Sequence, residues 1–178
     1  MLSEILVVCV VVYAPDTGEA ETLRQVLTAS GVSNVRVVKT ADQFLMLCAE
    51  VQPDVAILGL GPDLAAAVGL IKQVRAGARG VNRFLPIIAA KQNPSTALVH
   101  AAIDSGTHEF LLLPASVKSL STHIYRAVFI SRPFIAEPAY AGPCRRRRPG
   151  AYSGPDRRSV PWPGYVHAAH KAQTAEAH

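Results

Sequence analysis

The stretch ILVVCVVVYA, residues 5–14, decides the fold. Val7, Val8, Val10, Val11 and Val12 are β-branched, and no polar residue alternates with them. That pattern belongs to a parallel strand covered on both faces, because a strand with one wet face would alternate. Ten apolar residues are too few to span a bilayer as a helix. The run has the length of a signal-peptide core, but Glu4 opens it and no Lys or Arg precedes it. A buried strand is the better reading, and no membrane insertion is expected.

Outward from this strand the pattern cycles. Asp16 and Thr17 open a helical stretch that puts Leu23, Val26 and Leu27 on one face and ends at Gly31. Further strands are expected at residues 35–38, 55–60, 84–90 and 110–113. Helices are expected at 41–51, about 64–75, 95–105 and 116–130. Five β/α units in this space imply an α/β fold, a five-stranded doubly wound parallel sheet of order 2-1-3-4-5.

Composition sets the bounds. The chain has 178 residues, 49% hydrophobic and 17% charged, so wholesale disorder is excluded and one domain with a substantial extension fits. Residues 1–131 hold 10 Lys and Arg against 10 Asp and Glu, whereas residues 132–178 hold 8 against 3. The whole net charge of +5 therefore sits in the extension, which calls for an anionic partner there. Cys9, Cys48 and Cys144 are too scattered for a disulfide framework or a zinc site, which suits a reducing cytosol. His167 and His170 read as solvated tail residues, and no metal is expected.

Pro53-Asp54-Val55-Ala56-Ile57-Leu58, Leu85-Pro86-Ile87-Ile88, and Ser105-Gly106-Thr107 through Leu113-Pro114 resemble, in order and spacing, the landmarks of CheY-like receiver domains of response regulators. The resemblance covers residues 1 to about 131. It implies an aspartate phosphoryl acceptor at the end of the third strand, an acidic pair after the first strand, a hydroxyl after the fourth, and a lysine before the proline after the fifth. Those positions hold Gly59, then Ala14 and Pro15, then Lys91, then Leu113. Glycine has no side chain to phosphorylate, so a degenerate receiver without phosphotransfer or other enzymatic activity is expected. Receivers of this family commonly bind partners through the fourth helix, fifth strand and fifth helix, here residues 95–130.

The extension repeats itself. Residues 139–146, AYAGPCRR, recur as 151–158, AYSGPDRR, with six of eight positions identical at a period of twelve. Seven prolines in residues 132–164 argue against helix or sheet. The expected organisation is a receiver-like body at 1–131, an irregular Pro/Arg-rich ligand-binding arm at 132–164, and a flexible tail at 165–178. The arm is expected to order when its ligand arrives. Each copy of the repeat supplies a tyrosine, a Gly-Pro turn and an arginine pair. Tyrosine offers a stacking face, and arginine offers a fork to paired acceptors or a cation over a ring. Guanine presents O6 and N7 to such a fork, and its N1 and N2 donors suit the carboxylate of Asp156. Trp162 and Tyr165 add stacking faces.

The combination also resembles a subgroup of CheY-like effectors for cyclic di-GMP that carry an arginine-rich C-terminal segment and act at the flagellar motor switch in motility and surface attachment. The resemblance implies cyclic di-GMP as ligand, held by Arg145, Arg146, Arg147, Arg148, Arg157 and Arg158 with Tyr140, Tyr152, Asp156 and Trp162 as companions. It further implies a bacterial cytoplasmic protein recruited to a flagellar motor switch protein. The commoner RxxD and PilZ-type RxxxR signatures for this ligand are absent around these arginines. The alternative is a nucleic-acid or acidic-surface binding protein whose arm grips phosphates without base selection.

Overall fold

Each helix of the body starts on a side chain that caps it. In the computed structural model, which describes residues 5–130 and 132–145, Asp16, Thr40, Asp63, Ser95 and Ser116 each accept a hydrogen bond from the backbone N–H three residues on. The helices they start are α1 Thr17–Ala29, α2 Ala41–Val51, α3 Leu64–Arg75, α4 Thr96–Asp104 and α5 Val117–Phe129. Between them run β1 Cys9–Tyr13, β2 Asn34–Val38, β3 Val55–Gly59, β4 Ile87–Gln92 and β5 Glu109–Leu113. The strands pair in parallel in the order β2-β1-β3-β4-β5, as the pattern of apolar runs implies.

Alternation along each strand builds two core layers. Val10, Val12, Val55, Ile57, Ile88 and Leu111 pack against Leu23, Leu27, Leu120 and Ile124 of α1 and α5. Val11, Tyr13, Ala56, Leu58 and Ile87 pack on the other face against Phe44, Leu45, Leu70, Ile71 and Val74 of α2 and α3. β1 and β3 are buried at every position because both faces are covered, whereas β2 is an edge strand and mostly exposed. No helix among the described residues is long and apolar enough to cross a membrane.

Two expectations are corrected. β4 begins at Ile87 and runs on through Lys91 and Gln92, later than residues 84–90. Phe84 and Leu85 instead form a turn closed by Leu85 N–H to Asn82 O, and Pro86 has no N–H to give to a ladder. The second correction concerns the arm, which is not irregular at its start. Residues Phe134–Glu137 (β6) and Tyr140–Pro143 (β7) form an antiparallel hairpin. Its prolines sit where sheets tolerate them: Pro133 precedes β6, Pro138 is in the turn, and Pro143 ends β7. The Gly-Pro element of the first repeat copy is therefore strand, and the turn falls at Pro138 and Ala139.

Candidate functional site

In a sheet of this order, β1 and β3 diverge in their connections, and the crevice beyond their carboxyl ends is where such folds bind ligands. Tyr13 pairs with Leu58, so Ala14 comes beside Gly59, with Gly59 in turn paired to Ala90 of β4. The positions counted along the sequence thus converge in space: Ala14 and Pro15, Gly59 and Lys91 surround one crevice. Leu113 ends β5, one strand further out.

The crevice is filled by the chain's own charges. Glu19, in the first turn of α1, is only 6% exposed. Its Oε1 accepts a hydrogen bond from Lys91 Nζ at 2.8 Å, and its Oε2 accepts one from the Gly61 N–H at 3.0 Å. Lys91 Nζ also donates to Gly61 O at 2.6 Å. A Cβ at position 59 would lie 3.1 Å from Glu19 Oε2 and 3.3 Å from Tyr13 O. The bare Cα of Gly59 therefore makes room for the Glu19 carboxylate. The Glu19–Lys91 pair ties α1, the loop after β3 and the end of β4 together. No group of three His, Cys, Asp or Glu side chains with metal-holding geometry occurs among the described residues. Burial pushes the Cys48 thiol up to about 12, which leaves it unreactive as a nucleophile at neutral pH.

The hairpin is seated beyond the amino ends of β4 and β5, against the segments that lead into them. Phe134 is fully buried, edge-on to Phe84 with ring centroids 4.8 Å apart. Arg75, at the end of α3, lies beneath it, its guanidinium 5.8 Å from the Phe134 ring centroid. Arg75 spends its donors on carbonyls: Nε and Nη2 to Gly106 O, and Nη1 to Arg83 O and Leu85 O, at 2.7–2.9 Å. Burial lowers its pKa to about 9, so it remains charged at neutral pH. His108 lies beside it, with Nδ1 accepting from Ile87 N–H and Nε2 buried without a partner among the described residues. Burial first, then Arg75 and Arg132, holds the imidazole well below its ordinary pKa and hence neutral. Gly106 and Gly142 permit the seating, since a Cβ on Gly106 would lie 2.4 Å from Ala141 O and one on Gly142 would lie 2.6 Å from Gly106 Cα.

Of the residues expected to bind ligand, Tyr140 and Arg145 are described and are brought together. The Arg145 guanidinium lies 4.2 Å from the Tyr140 ring centroid, and Tyr140 Oη donates to Pro143 O at 2.8 Å. Arg145 Nη1 also pairs with Asp104 Oδ1 at 3.0 Å, a carboxylate that sequence spacing did not single out. Arg146, Arg147, Arg148, Tyr152, Asp156, Arg157, Arg158 and Trp162 lie outside the described residues, as do His167 and His170. The face made by α4, β5 and α5 exposes Leu112 to 59%, beside an open groove of about 400 Å³ lined by Asn93, Pro94, Thr96, Val99, Leu112 and Leu113.

This architecture is the receiver fold. No family model matches the chain, and no curated protein matches it. Solved receiver structures do. A CheY-type chemotaxis protein of Vibrio cholerae superimposes with a TM-score of 0.57 at 16% identity, covering 68% of this chain and 98% of that one. The signal receiver domain of a modulated diguanylate cyclase from Desulfovibrio desulfuricans gives 0.56 at 20% identity, covering 68% and 94%. A response regulator receiver domain protein from Clostridium thermocellum gives 0.57 at 15% identity, again covering 68% and 94%. At these identities the likeness establishes the receiver fold and extends no further.

Proposed function

We propose that the chain is a non-enzymatic second-messenger effector of the bacterial cytoplasm that binds cyclic di-GMP through its tandem AY[AS]GP[CD]RR arm and, once liganded, docks to a flagellar motor component. The observation that carries this reading is the pairing of Tyr140 with Arg145. The first repeat copy already holds an aromatic face and a guanidinium against each other, the arrangement that stacks and forks a nucleobase. The crevice supports the same direction. With Gly59 at the acceptor position and Glu19–Lys91 filling the space, a phosphoryl signal has no entry, so the input must arrive elsewhere.

Magnitudes permit an arm to bind without a deep pocket. Two bidentate arginine–guanine contacts and two stacking contacts at roughly 1–3 kcal/mol each give about 4–12 kcal/mol gross. Ordering the arm takes back roughly 2–5 kcal/mol. A net of about 8 kcal/mol, reached near the top of that range, is a micromolar dissociation constant. Leu112 and the groove beside it offer the apolar contact a docking partner would cover.

The test is a titration of the full chain with cyclic di-GMP beside cyclic di-AMP, at low and at physiological salt. Guanine readout predicts at least tenfold weaker binding of the adenine dinucleotide at both salts. Equal affinity for the two, falling together as salt rises, would instead establish the basic arm as a phosphate grip for nucleic acid or acidic surfaces.

A further inference from the structure

The two copies of the repeat differ where it matters for reading a base. The second copy has Asp156 immediately before its arginine pair, and the first has Cys144 at the same place. A cysteine cannot accept the N1–H and N2–H donors of guanine as a carboxylate does. The fold supplies what the first copy lacks: Asp104, the last residue of α4, has Oδ1 at 3.0 Å from Arg145 Nη1.

Asp104 is poorly placed for its own helix. It stands at the carboxyl end of α4, where the macrodipole is negative, and no basic residue accompanies it in the last turn. Its ion pair with Arg145 is exposed on both sides, at 58% and 48%, so it contributes little to stability. Both side chains are reachable by a ligand. A site meant only for phosphate gains nothing from this carboxylate, which repels the anion and competes for the guanidinium. A guanine site gains directly, because guanine turns acceptors toward an arginine and donors toward an acid, whereas adenine turns its N1 acceptor toward that acid.

We propose that Asp104 completes a guanine-reading set with Tyr140 and Arg145, so that the first repeat copy and the body together form one base-recognition site. Tyr140 backs the guanidinium, the guanidinium meets the guanine acceptors, and Asp104 takes the Watson–Crick donors. The inference rests on the cyclic di-GMP reading above and makes the receiver body part of the binding site.

The experiment is calorimetric titration of the full chain, as wild type, Asp104→Asn and Asp104→Glu, with cyclic di-GMP, cyclic di-AMP and cyclic di-IMP, whose hypoxanthine bases lack the N2 amine. Matching thermal melts check that the surface changes leave the fold intact. Asp104→Asn should weaken cyclic di-GMP about tenfold while leaving cyclic di-AMP unchanged, which collapses the preference. Asp104→Glu should restore part of it, and cyclic di-IMP should fall between the other two on the wild type. If the wild type prefers guanine and Asp104→Asn keeps that preference or binds cyclic di-GMP more tightly, Asp104 merely holds Arg145 and the inference fails alone. If the wild type shows no preference, the cyclic di-GMP reading fails and takes the inference with it.

Discussion

Replacing both members of the Glu19–Lys91 pair should destabilise the body far less than the sum of the two single replacements. Glu19→Gln leaves the Lys91 ammonium facing only neutral acceptors, Gly61 O among them, in a site where the lysine side chain is 21% exposed. Removing one partner of a fully buried pair costs about 3–5 kcal/mol, and this partial exposure reduces the expectation to about 2–3 kcal/mol. Lys91→Met leaves the Glu19 carboxylate, 6% exposed, with the Gly61 N–H as its remaining donor, for about 3–4 kcal/mol. The double variant carries no orphaned charge and should lose only about 2–3 kcal/mol, a coupling of at least about 2 kcal/mol. Urea unfolding at pH 7 resolves this as midpoint shifts of about 1–2 M for the singles. Additive losses, with coupling below about 0.5 kcal/mol, would refute the claim that this pair fills the crevice as a unit.

Three further predictions follow from the same geometry. Treatment with a small phosphodonor should leave the intact mass of the body unchanged, and Gly59→Asp should not rescue uptake; that variant forces a carboxylate against Glu19 and should cost about 1–3 kcal/mol from crowding alone, whereas a stoichiometric acid-labile adduct on the native chain would contradict the degenerate-site reading and one on the variant alone would contradict a crevice closed by Glu19 and Lys91. Phe134→Ala should cost about 3–5 kcal/mol and raise hydrogen exchange across residues 134–143, while unchanged exchange would mean the hairpin is not anchored by this ring. His108 is held neutral in the folded protein, so the unfolded chain takes up its proton first as pH falls through about 6.5. Its stabilising contribution is present above that pH and declines by up to about 1.4 kcal/mol per pH unit below it; urea midpoints at pH 7 and 5.5 should show a slope that His108→Gln flattens.

The sheet was legible because its central strands are apolar on both faces and its helices begin on capping side chains, two signals written in consecutive residues. The start of β4 was less so: Phe84 and Leu85 continue an apolar run into a turn, and only Pro86 marks where ladder pairing begins. Glu19 escaped notice because an acid in a first helical turn ordinarily only complements the helix dipole. The available signal was Lys91, a lysine within an apolar strand facing a glycine-lined space, which needs a buried carboxylate somewhere. The hairpin is not legible in the proline content, because the place of each proline and not their number decides whether strands pair, and its seating depends on Gly106 and Gly142, whose approach across 36 residues leaves no local trace. Asp104 was invisible for the same reason, since its partnership with Arg145 arises only when β7 returns across the end of α4.

The most direct test of the central claim is calorimetric titration of cyclic di-GMP into the full chain and into variants with Arg145 and Arg146, or Arg157 and Arg158, replaced by alanine. If both repeat copies hold the ligand, each pair should cost well over the ~1 kcal/mol of a screened surface ion pair, at least tenfold in affinity, and the fourfold variant should lose less than the sum. Undiminished binding in the fourfold variant would place the site away from the arm and contradict the account.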